Sequence, residues 1–318
     1  MESVNKFQSL VILLMVAIGI LLGQIGFVQT YSEYLITPFL MVMLFLVFLQ
    51  IPLKDILKSF KNLKFTLTAV IINFIWTPFL ILVLGRLFLV DHPELLIGYI
   101  MLMVTPCTDW YLIFTGISKG NVALGSSILP LNLVLQLVLL PVYVFLIGGS
   151  SVDMNTMQLL KGVVSTLIIP LLCAIIIINK IGQEDFEEKV ATKACDYQGY
   201  FLNAAIVSMF ASQGKILLEN IQVLLILLIP VLLFFVINFC VGRLVGRVMK
   251  LNYEDSVALN LTTLARNSPI ALAIAVATFP DRPLISLALI IGPLIELPVL
   301  FLIAKILLNI REKQLKIA

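Results

Sequence analysis

Apolar residues in this chain come in long runs separated by short polar connections, and each run has the length of a bilayer crossing. About 20 mainly apolar residues span a membrane as a helix. On that rule the pattern predicts ten spans, roughly 8–28, 32–51, 63–88, 95–118, 121–147, 157–179, 196–213, 221–246, 253–279 and 283–309. The longest polar link, Asn179 to Asp196, holds the charged stretch Gln183-Glu-Asp-Phe-Glu-Glu-Lys189. Five spans precede the turn at Asp153 and five follow it. The chain therefore reads as one transmembrane domain, 1–318, built from two repeats, 1–150 and 151–318.

The apolar pattern fails in two places, and both predict a break in a helix. Span 4 contains Met103-Val-Thr-Pro-Cys-Thr-Asp-Trp110 and span 9 contains Thr262-Thr-Leu-Ala-Arg-Asn-Ser-Pro269. A proline inside a helix removes a backbone hydrogen bond and clashes with the preceding turn. In hydrocarbon the freed groups survive only inside protein or beside a polar cavity. Asn73 lies 33 residues before Pro106, and Asn238 lies 29 before Asn267; Asn132 follows Pro106 by 26, and Glu296 follows Asn267 by 29. Each half thus repeats polar helix, broken helix, polar helix, with likeness between Leu129-Pro-Leu-Asn-Leu-Val134 and Gly292-Pro-Leu-Ile-Glu-Leu-Pro298. Five spans per half turn the second repeat upside down, and paired broken helices point to a secondary transporter's substrate site.

Composition agrees. The chain is 61% hydrophobic and 12% charged, with a mean hydropathy of +1.11, whereas soluble domains are nearer a quarter charged. The expected class is an all-α membrane protein. A net charge of +3 says less than where the charges sit. With the N-terminus inside, 16 of the 21 lysines and arginines fall in cytoplasmic connections, and only Arg86, Lys161, Lys215 and Arg282 fall outside. The inside-positive rule then puts both termini in the cytoplasm, for a multi-pass protein of the plasma (inner) membrane. Met1-Glu-Ser-Val-Asn-Lys6 lacks a small-residue cleavage site and leads into a retained first span. Cys107, Cys173, Cys195 and Cys240 are too widely spaced for a zinc site or redox pair; Cys173 and Cys240 are expected as buried small hydrophobes.

Three ionisable side chains fall near span centres: Asp109, Arg266 and Glu296. A charge there costs at least about 2.5 kcal/mol on insertion scales and faces the bundle interior or a cavity. Two readings of the Arg266–Asp109 pair stand, a structural network or a substrate contact. Glu296, between Pro293 and Pro298, is read as the proton-coupling group, because a carboxyl in a partly dry cavity suits a proton carrier. Cys107 sits at the start of a half-helix, where a thiolate is favoured and would prefer a soft metalloid; the plainer reading is a small buried hydrophobe. Thr108, Asn132, Asn267 and Ser268, with Thr262 and Thr263, would either contact substrate or satisfy freed backbone. Trp76, Tyr34 and Tyr200 are read as packing or interfacial anchors, and Lys54 to Lys64 as a topology signal that anionic lipid could also use. No nucleotide loop, dinucleotide fingerprint or zincin helix occurs, so neither an enzyme nor a cofactor is expected, and nothing points to nucleic acid.

Thr105-Pro-Cys-Thr108, Ser118-Lys-Gly-Asn-Val-Ala-Leu124, Ala271-Leu-Ala-Ile-Ala-Val-Ala277 and Ile291-Gly-Pro-Leu-Ile-Glu-Leu-Pro-Val299 resemble the bile acid:sodium symporter superfamily, and within it the arsenite-efflux permeases. The resemblance covers the whole chain. It implies ten helices in two inverted repeats, with a panel of spans 1, 2, 6 and 7 facing a core of spans 3–5 and 8–10, whose broken helices 4 and 9 cross at the binding site. It also implies that Cys107 and Glu296 are the cysteine and glutamate arsenite permeases need. The sodium-coupled branch differs: it has Ser-Asn where this chain has Tyr111-Leu112, a glutamate where it has Thr262, and a neutral residue where it has Arg266. Those changes remove oxygen ligands and add a cation, so protons rather than sodium are the expected coupling ion. Asp109 and Arg266 also depart from the arsenite pattern.

Two cargoes follow. The first is trivalent arsenic or antimony, held by Cys107 and exported against protons taken up at Glu296. The second is a small organic anion, its carboxylate held by Arg266 and by helix N-termini. A transport-inactive sensor is the third possibility, against which the short 180–195 link argues.

Overall fold

The computed structural model describes residues 11, 14–50, 61–108, 110–148, 168–181, 192–219 and 221–317. Asp109, the first half of span 6 and most of the link from Asn179 to Asp196 lie outside them, and with Asp109 the question of its pairing with Arg266. Among the described residues the protein is all-helical. After a helical stretch at 14–22 come α1 (Gly26–Gln50), α2 (Leu63–Ile71), a π turn (Ile72–Trp76), α3 (Thr77–Phe88), α4 (Pro93–Met103) and α5 (Trp110–Ile117). Then follow α6 (Val122–Ser127), α7 (Leu129–Tyr143), a second π turn (Val144–Gly148), α8 (Ile169–Ile181), α9 (Thr192–Glu219) and α10 (Ile221–Val248). The last three are α11 (Tyr253–Leu264), α12 (Ser268–Thr278) and α13 (Pro283–Ile317).

Five of the described helical runs are long and apolar enough to cross a membrane: Gly26–Leu49, Leu63–Phe88, Leu129–Ile147, Leu225–Val248 and Pro283–Lys313. Pro93–Met103, Ile169–Ile178 and Ser268–Thr278 are apolar but shorter. Spans 4 and 9 are interrupted, at residues 104–108 and 265–267, as the proline-bearing polar stretches require. One link was misplaced. The sequence pattern set the first turn near the polar residues 29–31, but the chain reverses at 23–25, where Gly23, Gln24 and Ile25 close short turns onto Gly19, Leu21 and Leu22. Gln29, Thr30 and Tyr31 continue into α1, with Thr30 bonding back to the Gly26 carbonyl.

Proline inside a buried helix orphans the carbonyl four residues earlier, and here three such carbonyls find side-chain donors. Pro78 frees the Phe74 carbonyl, which accepts from the Tyr143 hydroxyl at 2.6 Å. Pro106 frees Leu102, which accepts from Thr105 Oγ1 at 3.1 Å. Pro293 frees Leu289, which accepts from Ser268 Oγ at 2.6 Å. Each donor keeps a broken ladder from leaving an unpaired group in the apolar interior.

Contacts divide the helices. α1 packs along α9 and α8, while α3, α4, α5, α10, α11, α12 and α13 pack mostly on one another; α12 touches α1, and α9 touches α13. At one end of the bundle Lys64 Nζ donates to the Met249 carbonyl, Asn121 joins Asp255, and Glu254 lies 3.6 Å from Arg311. Cys107 is buried, whereas Cys173 and Cys240 are exposed on helix faces that no described neighbour covers, against the expectation of burial. Tyr34 and Tyr200 are exposed too, and Trp76 donates to Asn238 Oδ1 at 2.9 Å.

Parallel packing of α4 on α13 depends on one small residue. A Cβ on Gly98 would stand 2.7 Å from the Ala288 Cβ and 3.0 Å from the Ile285 carbonyl oxygen, the close approach that small residues permit between membrane helices. Gly98→Ala should lower stability by about 1–3 kcal/mol, the usual cost of overpacking. Thermal unfolding of the detergent-purified protein measures it.

Candidate substrate site

The two interruptions cross each other. Pro106 and Arg266 form an isolated antiparallel bridge. The Cys107 amide, which an unbroken helix would aim at Met103, donates to the Ala265 carbonyl at 3.0 Å. The Asn267 amide, due for Thr263, donates to the Thr105 carbonyl at 2.7 Å. Each break thus uses the other as its hydrogen-bonding partner, and neither would be satisfied alone.

That exchange leaves the carbonyl ends of α4 and α11 without their helical partners; the Thr105 hydroxyl takes Met101 and Leu102, and Arg266 takes three more. Nη1 donates to the Met103 carbonyl at 3.0 Å, Nε to Leu264 at 3.2 Å, and Nη2 to Thr263 and, at 3.4 Å, to Asn73 Oδ1. A helix C-terminus carries partial negative charge, so one guanidinium serves two helix ends. Phe234 lies under it, 4.9 Å from ring centre to Cζ. The Asn73 and Asn238 amides add donors from two more helices, to the Thr262 and Thr263 carbonyls at 3.3 and 2.9 Å. Asn73 sits in the first π turn, where helix geometry is already distorted.

Glu296 joins the same cluster from α13. Its Oε1 accepts from the Arg266 backbone amide at 2.8 Å, the group that a continuous α11 would have aimed at Thr262. Carboxylate, Cys107 thiol and Tyr99 hydroxyl all lie within electrostatic reach of the guanidinium. Glu296 is 4% exposed and Arg266 1%. Asn267 caps α12 through the Ile270 amide and donates to Thr108 Oγ1 at 3.2 Å. Asn132 reaches Thr262 Oγ1 at 3.4 Å, but its Oδ1 and both polar atoms of Gln136, one turn along α7, are buried without partners among the described residues.

A small cavity of about 40 Å³, room for a few water-sized groups, opens beside the crossing. Its wall includes Trp110, Arg266, Ser268, Pro269, Pro293 and Glu296 from the broken helices and α13, with Leu202 and Ile206 of α9 opposite. Of the expected site residues, Arg266, Ser268 and Glu296 line it; Cys107, Thr108 and Asn267 lie in the crossing, and Asn132 lies away on α7. The sequence reading missed Trp110, Tyr99 and Phe234. A tryptophan closing the polar stretch of span 4 was a visible signal for the first. Phe234 had none, since only packing brings α10 under the guanidinium.

Apolar helices, two of them broken and crossed around a buried arginine and carboxylate beside a small cavity, are the build of a membrane transporter. Residues 37–220, more than half of the chain, match the Sodium Bile acid symporter family, and the chain belongs to it. It is similar to the arsenical-resistance protein Acr3 of Corynebacterium glutamicum, 28% identical over 73% of this chain and 66%, just under two thirds, of that relative. A second Acr3, from Alkaliphilus metalliredigens, is 23% identical over 92% of this chain and 87% of its own length. An uncharacterized transporter of Synechocystis is 22% identical over 95% and 88%. The chain is a multi-pass membrane transporter of small solutes, not an enzyme.

Arg266→Lys tests the clamp. A lysine keeps the charge but cannot reach both helix ends at once, and each orphaned carbonyl costs about 1–3 kcal/mol. The variant should lose at least about 2 kcal/mol of stability, read as a fall in Tm, and Arg266→Met should lose more.

Proposed function

We propose that the protein is a ten-span inverted repeat of the cell membrane, with both termini cytoplasmic, that exports trivalent arsenic or antimony in exchange for protons. The observation that carries this reading is the crossing itself, which gathers Cys107, Arg266 and Glu296 within one buried cluster. Two relatives whose printed names are arsenical-resistance proteins support the cargo. The helices around α1 and α9 act as a panel and the remainder as a core that shifts against it, exposing the crossing to each side in turn; the cavity between α9 and α13 is where the two groups part. Cys107 supplies the soft ligand, and it becomes accessible as the core moves. Glu296 carries the proton: protonation weakens its hold on the Arg266 amide, so the charge at this carboxyl biases the geometry of the break.

Proteoliposomes test the reading. Arsenite release should speed up when the opposite compartment is acidified and slow when that gradient is reversed, with no response to sodium. Glu296→Gln should fold, lose the pH response and bring net transport close to background. In cells without arsenic exporters, the wild-type chain should raise arsenite tolerance, and Cys107→Ser should return it to the empty-vector level. Wild-type expression without any gain in tolerance defeats the proposal.

A further inference from the structure

Cations collect at one corner of the bundle. Lys61 and Lys64 stand at the start of α2, and Arg243, Arg247 and Lys250 at the end of α10. The bond from Lys64 to the Met249 carbonyl brings the two groups together. A helix dipole favours cations at the α10 end but opposes them at the start of α2, whose first turn holds no acidic residue. Arg243 and Arg247, four apart on one helix, repel each other as well. Carboxylates do not balance these charges. Among the described residues the ion pairs are Lys215–Glu219 and Glu254–Arg311, and Asp255 accepts from Asn121. Lys250 holds a backbone φ of 51°, the conformation just past a helix end where glycine is usual.

Beside these charges the same two helices present an apolar face. Trp76 and Thr77 bond to Asn238, 12 residues along the chain from Lys64, so span 3 and α10 run antiparallel between ties about 18 Å apart. Over that length Leu67, Ile71 and Ile75 on span 3, and Val236, Cys240 and Leu244 on α10, recur every fourth residue and are exposed. Half of the hydrocarbon core is about 15 Å deep, so each stripe has the reach of an acyl chain. From this arrangement we infer that the corner is a binding site for an anionic phospholipid, its phosphate between Lys61, Arg247 and Lys250 and its chains along the two stripes. Any lipid can cover the stripes; the cations select the headgroup, at about fivefold per basic side chain. Arginine suits a phosphate because its fork donates two parallel bonds. Lys64 and Arg243 hold the frame, through the Met249 carbonyl and, at 3.5 Å, the Ser256 hydroxyl. A lipid seated there braces the two helices that carry Asn73 and Asn238 to the crossing, whatever the cargo is.

Native mass spectrometry of the detergent-purified full chain measures this. Offered phosphatidylglycerol and phosphatidylcholine in equal amounts, the protein should retain the anionic lipid about tenfold more strongly. Lys61→Gln combined with Arg247→Gln, both at exposed positions, should reduce that preference to about twofold or less, with Tm in phosphatidylcholine unchanged. Arg86→Gln, exposed near the other end of span 3, should leave it intact. Equal retention of the two lipids overturns the inference, and so does a preference that survives the double substitution. Soluble glycerol phosphate should not displace the lipid; displacement at equimolar concentration marks a free-anion site and also overturns it. Lipid preference in a protein that moves no arsenite upholds this inference and defeats the cargo.

Discussion

Two helices that stop inside an apolar bundle leave carbonyl groups that water does not reach, and the rest of this structure is arranged to supply them with donors. Arg266 carries the largest share. Its guanidinium bonds to the ends of both interrupted helices, while the amides of each break bond to the carbonyls of the other. An arginine at mid-span costs about 2.5–3.5 kcal/mol on insertion scales. Four hydrogen bonds, the Phe234 face and a neighbouring carboxylate offset that cost, and they also explain why the charge is tolerated at full burial.

The same demand accounts for polar residues both beside the crossing and away from it. Tyr143, Thr105 and Ser268 each satisfy a carbonyl that a proline had freed. Asn73 and Asn238 come from opposite halves of the chain to the last turn of α11. These groups look like a polar site from sequence alone, and most of them serve the backbone. What remains for a solute is a small cavity where Ser268 and Glu296 meet the apolar side chains of α9 and α13.

Glu296 connects architecture to the proposed transport. It is the one described carboxylate that touches the break directly, through the Arg266 amide. A change in its charge therefore acts on the hydrogen bond that keeps α11 from continuing past Leu264. A break held together by side chains has discrete alternatives, the property a transporter core needs if it is to rest in more than one state.

Hydropathy and proline positions alone determined the helical class, the boundaries of Leu63–Phe88 and the interruption of spans 4 and 9, because helix length and broken ladders are local consequences of residue order. Cys107, Arg266 and Glu296 were legible as candidates for the same reason: a polar group in an apolar run stands out wherever the chain then goes. The first turn was misread because Gln29, Thr30 and Tyr31 are polar yet sit on an exposed helix face, while the turn falls beside Gly23, whose missing side chain lets the chain pack against Ala211. Tertiary structure decided what Arg266 does. Its partners Met103, Asn73 and Phe234 lie 163, 193 and 32 residues away in sequence, and only the crossing of the two breaks determines which carbonyls lose their amides and turn toward the guanidinium.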